Sequence, residues 1–82
     1  MKHASPATLN QLADLLGELR VIAVLVERKP GVFYRKSRAF LHFHEDPAGL
    51  FGDLRRSAAW ERFPLDTPAE RARFMQAVRS AS

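Results

Sequence analysis

Between Leu25 and Leu65 the chain never leaves room for a helix between two strands. Short runs of β-branched and aromatic residues are divided only by turn signals: Pro30-Gly31, Ser37 and Asp46-Pro47-Ala48-Gly49. Such links can join only antiparallel neighbours, because a parallel crossover needs about a dozen residues or more. The runs read as strands over residues 25–29, 32–36, 38–45, 50–55 and 60–65, with Pro64 marking the last as an edge or an end. An alternative is one long strand through residues 32–45 with a bulge near Ser37.

Helices flank this sheet. Ser5-Pro6 pairs an N-cap residue with a proline suited to the first helical position. Leu9, Leu12, Leu15, Leu16 and Leu19 follow at helical spacing, which predicts a helix over about residues 6–20 with a last turn weakened by Gly17. Thr67-Pro68-Ala69-Glu70 is a capping box, and Ala72, Met75 and Val78, with Phe74 beside them, form the apolar stripe of a second helix. Its tail, Ser80-Ala81-Ser82, is expected to fray. Both stripes need a surface to cover, and the simplest solution places them on one face of the sheet. The expectation is therefore a single α+β domain over residues 1–82, with an ordered core over about 5–79. It is a two-layer sandwich: N-terminal helix, a four- to five-stranded mostly antiparallel sheet, C-terminal helix. A hydrophobic fraction of 46% suffices for a compact core and argues against disorder.

Several classes of function drop out. There is no cysteine, hence no disulfide, thiolate metal site or iron–sulfur cluster. A small domain without such staples is expected in the cytoplasm. MKHASPATLN has no apolar stretch after Lys2, so no signal peptide is expected, and Val21 to Val26 is too short to span a bilayer. No GxSxG, GxGxxG or GxxxxGK[ST] pattern occurs, and the expected function is binding without catalysis.

Thirteen Lys and Arg against nine Asp and Glu give a net charge of +4. Most of the bases are arginine, which suits forked contacts to phosphate or carboxylate. Arg28, Lys29, Arg35, Lys36 and Arg38 have no acid among them, and Tyr34 interleaves with them. A basic hairpin carrying an aromatic can hold phosphates and stack on a base, so these six residues are the expected DNA or RNA site. Arg55, Arg56 and Arg62 extend it if their strands lie alongside. The competing reading is a solvated edge whose charges discourage aggregation.

The second constellation is His42-x-His44. In strand 38–45, Ala39, Leu41 and Phe43 alternate with Arg38, Phe40, His42 and His44, so one set enters the core and the other faces out. Two imidazoles on one face can share a zinc or iron ion, with Asp46, Asp53 and His3 as further donors whose positions the sequence leaves open. The cupin pattern is not met, because Ala48 and Gly49 stand where its glutamate should fall. Without a metal, the pair is two partly exposed histidines. Phe51, Trp60 and Phe63 are assigned to the core, with Trp60 alternatively a surface anchor for a partner protein. An open sheet also offers an edge to a protein partner or a homodimer.

Phe33-Tyr34, the Lys36-Ser37-Arg38-Ala39-Phe40 turn and strand, and the segment from Trp60 into the last helix resemble the MmcQ/YjbR-like group of small bacterial proteins. The resemblance implies a frataxin-like two-layer sheet and a double-wing mode of DNA binding. Ser-Arg-Ala-Phe replaces the group's usual Gly-Lys-Phe-Ala turn, and the resemblance does not place the HFHED run.

Overall fold

The computed structural model describes residues 2–81. Its centre is an antiparallel meander of β2 (Leu25–Lys29), β3 (Val32–Arg35), β4 (Arg38–Asp46), β5 (Gly49–Arg56) and β6 (Ala59–Pro64), in that spatial order. A two-residue strand, β1 (Lys2–His3), lies against the end of β4 that β3 does not reach, setting Lys2 opposite Glu45 and His3 opposite His44. The helices α1 (Pro6–Gln11), α2 (Ala13–Arg20) and α3 (Pro68–Ala81) contribute to one core on one side of the sheet, leaving the other side open. This is the expected α+β architecture.

Local chemistry explains most boundaries. Ser5 Oγ accepts the Thr8 N–H at 3.2 Å, with Pro6 at the first helical position. At α3 the capping box forms in both directions: Thr67 Oγ1 accepts the Glu70 N–H, and the Glu70 carboxylate accepts the Thr67 N–H. The helix runs to Ala81, so the expected fraying at Ser80 and Ala81 does not occur; Ser82 lies outside the described residues. The N-terminal helix, expected in one piece, breaks at Leu12, whose N–H bonds to the Leu9 carbonyl three residues back. Lys36-Ser37 and Ser57-Ala58 are two-residue hairpin turns with positive φ at both positions (53° and 65°, 51° and 70°). That is the type I′ pattern whose twist matches the flanking strands. No helix of the described residues is long and apolar enough to cross a membrane.

Two bulges change which residues share a face. Phe33 lies opposite Leu41 but Tyr34 lies opposite Ala39, so Phe40 is an extra residue in β4. Phe40 and Leu41 are consequently both buried in the core. Beyond the bulge the alternation is reversed. Arg38 pairs with Arg35 and shares the helix side with Phe33, while Ala39 pairs with Tyr34 on the open side. The expected grouping of Arg38 and Phe40 with the histidines therefore fails, and that of His42 with His44 holds. Arg28 is the extra residue of a second bulge, between Glu27 and Lys29.

Leu12, Leu15, Leu16 and Leu19 of the N-terminal helices meet Phe74, Met75 and Val78 of α3 over Phe33, Leu41, Phe43, Leu54 and Phe63. Phe63 is core as expected. Phe51 and Trp60 are not: Phe51 pairs with His44 and Trp60 with Arg55, which puts both on the open face. Gly52 lies beneath the Phe74 ring, where a side chain would collide with it.

Candidate functional site

Two clusters of polar chemistry flank the open face. The first follows from the meander itself. The β3–β4 and β5–β6 turns emerge at the same end of the sheet, so Arg35 and Arg38 come beside Arg55 and Arg56. With Phe40, Ser57 and Ser80 they line a groove of about 390 Å³ that also touches the last turn of α3; among the described residues no acidic one lines it. Arg56 is already engaged by the Glu61 carboxylate. Arg35 and Arg55 are different. Their Nε–H groups are buried without a hydrogen-bond partner. The Arg55 guanidinium lies 4.8 Å from the centre of the Trp60 ring, and that of Arg35 lies 5.9 Å from Phe40, so aromatic faces fix both side chains.

The six residues expected to bind nucleic acid are thus divided. Arg35 and Arg38 line the groove, and Lys36 is exposed in the adjoining turn. Arg28, Lys29 and Tyr34 line a separate depression with His3, Pro30 and Val32, where Arg28 stacks 4.8 Å from the centre of the Tyr34 ring. Arg55 and Arg56 join the first group, as strand adjacency requires. The groove wall from Ser80 of α3 was not anticipated, because nothing local in the sequence ties the end of α3 to the hairpin tips.

The second cluster sits mid-sheet. His42 and His44 of β4 project beside Asp53 of β5, which is 5% exposed. Asp53 Oδ2 lies 3.1 Å from His44 Nδ1 and 3.8 Å from His42 Nδ1. Both imidazole Nδ1 atoms are buried and neither has a well-directed hydrogen-bond partner, His44 Nδ1 pairing with the carboxylate across 3.1 Å. Arg62, opposite Asp53 in the β5–β6 pairing, grips the carboxylate with two bonds: Nε to Oδ1 at 2.8 Å and a terminal NH₂ to Oδ2 at 2.9 Å. The His3 ring, carried in by β1, has its centroid 4.8 Å from that of His44 and 5.8 Å from that of His42. Trp60 covers His42 at 4.7 Å. Asp53 and His3, whose positions the sequence left open, therefore join the histidine pair. Asp46, the remaining candidate, instead folds back on its own turn and accepts the Ala48 N–H.

Burial lowers the pKa of His42, and the neighbouring His44 charge lowers it further against the opposing pull of Asp53. Burial likewise lowers His44, with Asp53 again opposing. Both shifts favour the neutral imidazole, the form that ligates a metal. Burial alone would raise Asp53, but the Arg62 hydrogen bonds and charge, aided by the histidines, hold it below the ordinary carboxylate range. The mid-sheet cluster thus presents two imidazoles and one carboxylate.

Arg62 as the clamp on Asp53 escaped sequence reasoning. A two-residue turn at Ser57-Ala58 sets residue 62 opposite residue 53, so recognising that turn would have found the pair.

Comparison of the chain with protein-family models, curated proteins and solved structures gives no match. The candidate site therefore stands on its own geometry.

Proposed function

We propose that this domain binds nucleic acid through the arginine groove at the end of the sheet, with Arg35, Arg38 and Arg55 contacting backbone phosphates. The observation that carries this reading is the gathering of Arg35, Arg38, Arg55 and Arg56 on one groove with no acidic residue among the described residues that line it, together with the buried, unpartnered Nε–H of Arg35. A buried guanidinium donor left unbonded is costly, and a phosphate oxygen satisfies it with a charge-assisted bond. Ser57 and Ser80 add hydroxyl donors at the rim. The net charge of +4 favours approach of a polyanion.

The test is fluorescence anisotropy with a labelled mixed-sequence single strand across a salt series. Three phosphate contacts give a slope of log K against log salt near about −2, and raising salt from about 50 to about 200 mM weakens binding roughly 20-fold. Replacing Arg35 and Arg55 with Ala leaves one contact, a slope near about −0.7 and a roughly threefold loss over the same range. Arg28→Ala with Lys29→Ala leaves the slope unchanged. A wild-type slope retained in the Arg35/Arg55 variant would sink this assignment.

A further inference from the structure

We infer that His42, His44 and Asp53 form a binding site for a divalent transition-metal ion of the zinc class, with His3 as a fourth ligand. The inference does not rest on the nucleic-acid reading, although Trp60, which covers His42, also carries the Arg55 guanidinium.

The donor set suits such an ion. One ligand atom from each of His42, His44 and Asp53 lies within 4.8 Å of the other two. Ligands on a tetrahedral ion with bonds of about 2.0–2.1 Å stand about 3.3 Å apart. The two imidazole nitrogens are 3.1 and 3.8 Å from the shared oxygen Asp53 Oδ2, and with separations in the group reaching up to 4.8 Å, binding an ion draws the rings inward. Two nitrogens and one carboxylate oxygen select zinc and its neighbours over magnesium or calcium, which prefer all-oxygen shells.

The two buried Nδ1 atoms have no well-directed hydrogen-bond partner. A folded protein rarely leaves such groups idle, and two of them face one carboxylate oxygen. A metal ion engages both nitrogens at once through their lone pairs.

The surroundings hold the ligands in place. Arg62 bonds to both oxygens of Asp53, fixing the carboxylate plane as an outer-shell partner does in metal sites. Asp53 Oδ2 accepts one bond from Arg62 and keeps a second lone pair on the histidine side. Trp60 covers the His42 ring from the β6 side. His3 lies beside the group, its ring centroid 4.8 Å from that of His44, and being exposed it is free to swing its ring in as the fourth ligand. The four residues come from three strands, and the β1–β4 and β4–β5 registers assemble them: His3 opposite His44, and His42 opposite Asp53.

The test uses the full chain stripped with a chelator and titrated with Zn²⁺ alone, with no nucleic acid present. Isothermal titration calorimetry is expected to give one ion per chain, and NMR to move the His42 and His44 ring signals together. Co²⁺ is expected to give visible d–d bands of a low-coordinate nitrogen–oxygen site. Asp53→Asn, which keeps the shape of the side chain, weakens zinc binding at least 10-fold, and His3→Ala weakens it less. His42→Gln with His44→Gln abolishes it; circular dichroism checks that each variant is folded, and Asp53→Asn carries the test if the double variant is not. Absence of Zn²⁺ binding at millimolar concentration overturns the inference. So does zinc affinity that survives in folded Asp53→Asn, or ring shifts at His3 alone.

Discussion

Substituting Gly52 by Ala probes whether α3 seats on β5 as closely as the structure has it. An alanine Cβ there would stand 2.8 and 2.9 Å from two carbons of the Phe74 ring and 3.1 Å from a Leu65 methyl. Carbon atoms in contact prefer about 3.5–4.0 Å, so the ring must retreat by more than half an ångström. It has nowhere to go. Phe74 is fully buried, with Phe63 and Phe43 at centroid distances of 5.4 and 6.0 Å. Overpacking of this kind costs about 1–3 kcal/mol. Alanine returns about 0.5–1 kcal/mol through its lower backbone entropy loss. The net destabilisation falls within about 0–2.5 kcal/mol, and each 1 kcal/mol lowers the melting temperature of a domain this size by about 4–8 °C. Urea unfolding of Gly52→Ala, Phe74→Leu and the double variant isolates the contact, and in the Phe74→Leu background the alanine should cost at least about 1 kcal/mol less. An alanine whose effect is the same in both backgrounds refutes the packing. The result reaches the open face too, because Asp53 follows Gly52 and its position depends on where β5 is held.

Two other perturbations test the framework. Ala58 adopts a φ of 70° in the β5–β6 turn, so Ala58→Gly removes backbone strain and should stabilise the fold by about 0.5–1 kcal/mol, read as a higher urea midpoint. Glu45 accepts the Ser5 N–H, its main cause of perturbation, and with hydroxyl contacts and nearby Lys2 its pKa falls from 4.5 to about 2. Because the folded value lies below the unfolded one, Glu45 contributes stability in full above pH 4.5 and loses it as pH falls toward about 2. Glu45→Gln should therefore flatten the decline in urea midpoint across that window, and an unchanged acid profile counts against the β1–β4 anchor.

The strands were legible because their boundaries are local. Pro30-Gly31, Asp46-Pro47 and the Thr67–Glu70 box act within a few residues, and β2 spans the residues its β-branched run predicts. What escaped depends on partners distant in sequence. β1 exists because Lys2 and His3 find the exposed end of β4, and two residues have no propensity of their own worth reading. The Phe40 bulge reverses the alternation because core packing takes both Phe40 and Leu41, an outcome a simple period of two cannot express. The site divides in the same way. His42 and His44 share a face by strand geometry alone. Asp53, Arg62 and His3 join them only through three separate strand registers. Arg35 and Arg38 were named from charge density, whereas their union with Arg55 waits on the order of the meander.

The central claim is that the arginine groove is the nucleic-acid contact. The most direct measurement is an amide NMR titration with a short single strand and a short duplex at physiological salt. Shifts are expected to concentrate on Arg35, Arg38, Arg55, Ser57 and Ser80, with Arg28, Lys29 and Tyr34 little moved. Shifts confined to Arg28, Lys29 and Tyr34, or diffuse shifts that vanish when salt is raised, would contradict it.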